Sequence, residues 1–168
     1  MPRRTAYPRV AEYAERYAAV DSLPLLIEAN AQAMTSTELM PDGTVWLNIE
    51  YPAYNARVYF TLTPVDSATV EAALENRAER IGLNLGNAQA ESEHFTNPNG
   101  YYTTLVKAPQ ALPLPVHFIA VKPGAPKWLV SGSAMIDGTG PQTPADSIGP
   151  VIETIYRDIS HAMQRLAP

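Results

Sequence analysis

Proline is the residue that most limits what this chain can fold into. The 168 residues include 16 prolines, distributed along the whole length, which is about twice the average usage of this residue. A proline fixes its own φ angle, lacks the N–H that a helix interior or central strand needs, and disfavours helical backbone in the preceding residue. The sequence therefore predicts many short elements separated by turns.

The remaining composition is typical of a folded domain and excludes several classes of function. Hydrophobic residues make up 46% of the chain and charged residues 17%, and the net charge is −5. No dense Lys/Arg cluster is present, which argues against nucleic acid binding, because phosphate backbones are neutralised by basic surfaces. There are no cysteines, which excludes disulfides, thiolate catalysis and cysteine-ligated metals. No apolar run is long enough to span a bilayer, and the first residues lack the apolar core of a signal peptide.

Alternating apolar and polar residues predict the strands. Apolar side chains recur every second residue over 23–33 and again around 45–49 and 58–62, a period that places successive side chains on opposite faces of a strand. The short connection Pro52–Asn55 predicts that the last two of these segments pair antiparallel. Further strands are predicted over residues 88–95, 101–107, 115–121 and 127–136.

Helical spacing of apolar residues predicts two clear helices. The first has a stripe at Val70, Leu74 and Ile81, with Asp66 or Ser67 as its cap and Gly82 at its end. The second closes the chain, and its stripe is the longest: Ile148, Ile152, Ile155, Ile159, Met163 and Leu166. A short third helix is predicted near the start, where Val10, Tyr13, Tyr17 and Val20 are three or four residues apart.

The order of these elements predicts an α+β fold with a mainly antiparallel sheet flanked by two or three helices. We expect one domain over residues 23–168, on which residues 1–22 pack. No linker long enough to divide the chain is present.

The three histidines are the first candidates for chemistry, and each has a simpler structural interpretation. His117 shares a predicted strand face with Ile119 and Val121, which favours a buried, hydrogen-bonded ring. His94 points away from the face that carries Glu91 and Glu93, so these three side chains alone cannot form a metal site. No metal-binding, nucleophile-elbow or phosphate-loop motif is present. We therefore predict no catalytic, cofactor-binding or metal-binding residue.

Three hypotheses for function follow from the residues. The leading one is a non-enzymatic interaction domain, with Arg157, Asp158 and His161 on the polar side of the last helix as the candidate surface; the alternative for these residues is an exposed helix face without a partner. The second is a small-ligand-binding domain with a pocket between the sheet and the Pro109–Pro115 loop. The third is a hydrolase using His94 or His117, which requires a serine or carboxylate within hydrogen-bond distance of the ring.

Several separate segments resemble the GldD family of gliding-motility-associated lipoproteins. They occur in the family's order: residues 45–52, 56–59, 63–65, 95–98, 114–118, 146–152 and 155–161, with a looser similarity around residues 7–10. The chain departs from the family pattern at Leu25-Leu26, where the family has an aromatic, at Val45, where it has a cysteine, and at Lys122-Pro123. These departures indicate a divergent member.

The resemblance implies a lipid-anchored cell-envelope protein, facing the periplasm, that is needed for gliding motility and type IX secretion. It implies an accessory role without cofactors beside an integral membrane partner similar to GldE. The family's acylated cysteine does not occur in the chain, so we expect the anchor to precede residue 1 and residues 1–22 to be membrane-proximal. The element order is also similar to the PsbP/Mog1 architecture, which is an analogy of topology only.

Overall fold

A computed structural model describes residues 12–137 and 148–168. Within these ranges, seven strands form an antiparallel sheet in the order β3-β4-β5-β9-β8-β7-β6, and β1 and β2 form a separate antiparallel pair. The strands are β1 (Tyr17–Ala19), β2 (Glu28–Asn30), β3 (Met34–Leu39), β4 (Val45–Tyr51), β5 (Ala56–Pro64), β6 (Glu91–Thr96), β7 (Tyr102–Lys107), β8 (Val116–Val121) and β9 (Trp128–Ile136). The helices are α1 (Val70–Leu85) and α2 (Ile148–Arg165), and a 3-10 turn covers Pro52–Tyr54. The predicted α+β fold is confirmed, whereas the similarity to PsbP/Mog1 and the division at residue 22 stay predictions.

The two faces of the large sheet are covered by different helices. The Tyr51 hydroxyl bonds to Asp158 of α2, so the buried residues Leu47 and Ile49, on the same face of β4 as Tyr51, also face α2. The predicted apolar stripe of α2 is confirmed by the burial of Ile152, Ile155, Ile159, Met163 and Leu166. On the opposite face, Arg77 of α1 donates a hydrogen bond to the Thr63 hydroxyl of β5 at 3.0 Å. Unlike α2, α1 has no buried residue.

The N-terminal helix predicted around residues 10–20 is wrong for the described part of that segment, because residues 17–19 form a strand. The ring of Tyr13 packs edge-on against Tyr51 and Tyr54, with centroid distances of 4.9 and 4.7 Å. Further along the chain, Tyr17–Ala19 pair with Glu28–Asn30. These tertiary contacts outweigh a local helical spacing that covers only a few residues. Val10 lies outside the described residues.

Other predicted boundaries also shift. The alternation over 23–33 yields only the short β2, because the Asn30 side chain accepts the backbone N–H of Gln32 at 2.9 Å and begins a turn before β3. Gly82 does not end α1; the helix continues to Leu85, and Gly86 follows with a φ of 57°. The N-cap of α1 is Thr69, without a side-chain cap, and not the predicted Asp66 or Ser67. The Asp66 carboxylate accepts the N–H groups of Ala68 and Thr69, both at 2.9 Å, in the turn before the helix.

Gly132 is a point of close packing between β9 and its neighbours. A Cβ atom added there would collide with the ring of Phe118 and with the backbone carbonyl of Tyr59. Both Phe118 and Phe60 on the adjacent strands are almost fully buried, and their rings are 4.7 Å apart. The missing side chain at Gly132 therefore makes room for an aromatic pair in the core.

We expect Gly132→Ala to lower the free energy of unfolding by about 3 kcal/mol, because a buried ring and a strand backbone must both move. The control is Gly82→Ala, where an added Cβ meets nothing within 4 Å; in a helix interior it is expected to stabilise the protein by up to about 1 kcal/mol. Urea unfolding of the two variants measures both effects. Equal stability of the two variants would contradict the packing argument.

Candidate functional site

Asp158 is the buried centre of the site predicted on α2. Its side chain accepts five hydrogen bonds: from the hydroxyls of Tyr17 (2.8 Å) and Tyr51 (2.7 Å), from Nδ2 of Asn30 (3.1 Å), and from Nε and Nη2 of Arg157 (both 3.0 Å). The residue is only 5% exposed. A buried carboxylate is tolerated when donors replace its hydration, and here the donors come from β1, β2, β4 and α2.

The two tyrosines donate their hydroxyl protons to Asp158. Burial, followed by the hydrogen bond to Asp158, raises the pKa of Tyr17 to about 12. Burial and the charge of Asp158 raise the pKa of Tyr51 further. Both phenols therefore keep their protons at neutral pH, and neither is a candidate proton acceptor.

A second polar cluster lies one turn further along α2. The His161 ring stacks on the ring of Tyr17 at 3.6 Å between centroids, and its Nε2 donates to the Glu28 carboxylate at 2.7 Å. Arg165 donates to the same carboxylate at 3.3 Å. The hydrogen bond from His161 lowers the pKa of Glu28, with burial acting in the opposite direction. An ionised Glu28 thus holds both basic side chains in place.

The structure brings the three predicted surface residues together but gives them different environments. Asp158 is buried, so it supports the surface from below and does not form an exposed contact. Arg157 and His161 are partly exposed, and Arg157 also donates to the carbonyl of Tyr13 at 2.8 Å. Glu153, four residues before Arg157 on α2, accepts a hydrogen bond from Nζ of Lys107 at 2.8 Å.

A cavity of about 700 Å³ lies on the opposite face of the sheet, beneath α1. Its wall combines basic, hydroxyl and apolar side chains: Arg77, Arg80 and Ile81 from α1, Trp46 from β4, His117 from β8 and Ser131 from β9. No residue of the Pro109–Pro115 loop lines this cavity, so it is distinct from the pocket that the sequence predicts at that loop, which stays a prediction. The loop instead supplies the Leu114 carbonyl that lies 3.0 Å from Nε2 of His117.

The interpretation of His117 as a buried, satisfied ring is confirmed, since it is 2% exposed and bonds to Leu114. Burial lowers the pKa of this imidazole below its ordinary value. His94 lies on the exposed strand β6, with Nδ1 2.9 Å from the Thr104 hydroxyl.

The described ranges contain no group of three or more His, Asp or Glu side chains able to hold a metal ion. They also contain no helix with the length and hydropathy of a membrane span.

The hydrogen bonds to Asp158 predict a measurable contribution to stability. Asp158→Asn removes the charge and turns an NH₂ group toward donors, so we expect a loss of about 2–4 kcal/mol in the free energy of unfolding. Glu153→Gln, which breaks an exposed ion pair on the same helix, is the control and is expected to cost less than about 1 kcal/mol. Chemical denaturation compares the two. Similar losses would show that the buried hydrogen bonds contribute little.

The lowered pKa of His117 predicts how the free energy of unfolding depends on pH. The pKa of His117 in the folded protein is below the ordinary value of 6.5, so the unfolded chain takes up a proton at a higher pH than the folded protein. The contribution of the neutral His117 ring to the free energy of unfolding is therefore present above pH 6.5 and is lost as the pH falls toward the folded pKa. We expect His117→Gln to reduce the loss of stability between neutral pH and mildly acidic pH. His94→Gln, which removes an exposed ring, is the control for the loss of a histidine side chain. Denaturation midpoints at both pH values test this, and parallel pH dependence in wild type and His117→Gln would contradict it.

The comparisons with known proteins identify the family. A comparison with curated proteins gives no match. The family model described as gliding motility lipoprotein GldD matches residues 1–167. This match includes both the α2 cluster and the cavity beneath α1, and it confirms the resemblance seen in the separate sequence segments. The chain therefore belongs to the GldD family of gliding motility lipoproteins.

Proposed function

We propose that this protein is a non-enzymatic accessory component of the gliding motility and type IX secretion machinery, held at the cell envelope by an N-terminal lipid anchor. The observation that carries the proposal is the family match over residues 1–167. A lipoprotein of the gliding apparatus is anchored to a membrane of the cell envelope, and we place the folded domain on the periplasmic side. The protein acts through contacts with other proteins.

The partner in this proposal is an integral membrane protein of the gliding machinery, similar to GldE. A lipid anchor confines the domain to a thin layer next to the membrane, which raises its effective concentration toward a partner in the same membrane. A modest interface is then sufficient for a stable complex.

The contact surface in this proposal is the half-exposed side of α2 that carries Arg157 and His161, extended by Arg165. These side chains are held by Asp158, by the Tyr13 carbonyl and by Glu28. Side chains that are already ordered lose less conformational entropy on binding. This pre-organisation supports the choice of α2.

Capture of the purified GldE-like membrane protein in detergent, with this chain as bait, tests the proposal. We expect the double variant His161→Ala, Arg165→Ala to weaken capture by at least about tenfold, because central basic and aromatic contacts dominate interface energies. The control, His94→Ala with Arg57→Ala, removes the same two residue types from strands β6 and β5 and is expected to bind as wild type. Asp158 is left unchanged, since its substitution would destabilise the fold.

The outcomes separate the two parts of the proposal. Equal capture by the surface variant and the control, with thermal unfolding unchanged, would contradict the assignment of α2. Failure of the unmodified chain to capture the membrane protein at any concentration tested would contradict the partner.

A further inference from the structure

Two guanidinium groups line the cavity beneath α1 without a carboxylate to neutralise them. Arg77 and Arg80 are three residues apart, so they lie on the same side of the helix. In the described part of the chain, neither has an Asp or Glu oxygen within ion-pair distance. Burial and the charge of Arg80 lower the pKa of Arg77. Two cations held side by side in a concave site favour the binding of an anion between or above them.

Arg77 also has an unused donor. Its Nη2 donates to the Thr63 hydroxyl at 3.0 Å and its Nη1 to the side chain of Asn76 at 3.2 Å. Its Nε is buried and has no hydrogen-bond partner among the described residues. Buried donors of a charged group are normally paired, and Arg77 is part of the cavity wall.

The remaining wall combines hydroxyl groups with apolar surface. Ser131 and Ser133 of β9 contribute hydroxyls, and Trp46 and Ile81 contribute apolar area. Trp46, the second residue of β4, is 46% exposed, so its ring is accessible to a ligand. A volume of about 700 Å³ is within the range of small-molecule sites, which pair apolar walls with a few polar groups.

The charges around the cavity add up to a positive site. Among the described residues that line the cavity, Asp42 is the only carboxylate, and its Oδ1 accepts the backbone N–H of Thr44 at 2.9 Å. The pKa of His117 is lowered by burial, so this ring is neutral at pH 7. The two positive charges of Arg77 and Arg80 therefore outnumber the negative charge of Asp42, although the net charge of the whole protein is −5.

We propose that this cavity binds an amphipathic anion, in which a carboxylate or phosphate bonded by Arg77 and Arg80 is joined to an apolar group that packs on Trp46 and Ile81. Guanidinium groups bind both kinds of oxyanion through paired N–H donors. The ligand chemistry is shared by two sources, the headgroup of an anionic lipid and a free small molecule. This inference does not depend on the α2 surface or on the membrane partner.

Octyl phosphate is the probe, and octanol is its uncharged counterpart. The chain has two tryptophans, so the variant Trp128→Phe leaves Trp46 as the reporter of binding by fluorescence. In this background we expect octyl phosphate to bind at least about tenfold more tightly than octanol, and Arg77→Gln with Arg80→Gln to abolish that preference. Arg57→Gln, on the same sheet face outside the cavity, is the control. The single variant Arg80→Gln, at an exposed position, keeps the test valid if the double variant does not fold.

Co-sedimentation with vesicles distinguishes the two sources of ligand. Retention on phosphatidic acid vesicles but not on phosphatidylcholine vesicles, lost in Arg80→Gln and kept in Arg57→Gln, assigns the ligand to a lipid headgroup. Octyl phosphate binding without vesicle retention assigns it to a free anion. Equal binding of octyl phosphate and octanol, or equal binding by the Arg80→Gln and Arg57→Gln variants, would overturn the proposal.

Discussion

The carboxylate of Asp158 is the group on which the rest of the structure depends. A charge buried at the interface of a helix and a sheet must be surrounded by donors, and here the donors are Tyr17, Asn30, Tyr51 and Arg157. Each donor has to reach the same point, so the cluster fixes the rotation of α2 on the sheet and the position of the small β1-β2 pair. Apolar packing is tolerant of rearrangement, whereas hydrogen bonds to one carboxylate require defined distances and directions.

The sequence predicts the elements whose pattern is local. β4, β5 and α2 follow from periods of two and of three to four residues, because burial of one face dictates the spacing. The helix predicted near Tyr13 and Tyr17 is wrong because those side chains are spaced for an aromatic cluster and for Asp158. The spacing of Asp158 is a weak indication that it is buried, since it lies three residues after the buried Ile155 and four before the buried Ala162.

The partners of Asp158 and the wall of the cavity have no such signal. Tyr17 and Tyr51 are 141 and 107 residues away from Asp158 in the chain, and the cavity is formed by single residues from several strands and from α1. Only the tertiary fold brings such groups together. The composition of the whole chain is misleading here as well, because a net charge of −5 conceals a local excess of positive charge beside Arg77.

The place of β1 in the chain has a mechanical consequence. A tensile load applied upstream of Tyr13 reaches first the packing of Tyr13 on Tyr51 and Tyr54. It reaches next the three residue pairs between β1 and β2 and the Tyr17–Asp158 hydrogen bond. The core strands β4, β5 and β9 come later along the chain and are joined by long antiparallel ladders. Force entering from the N-terminal side is thus borne by one aromatic contact and a three-residue strand pair before it loads the long ladders of the large sheet.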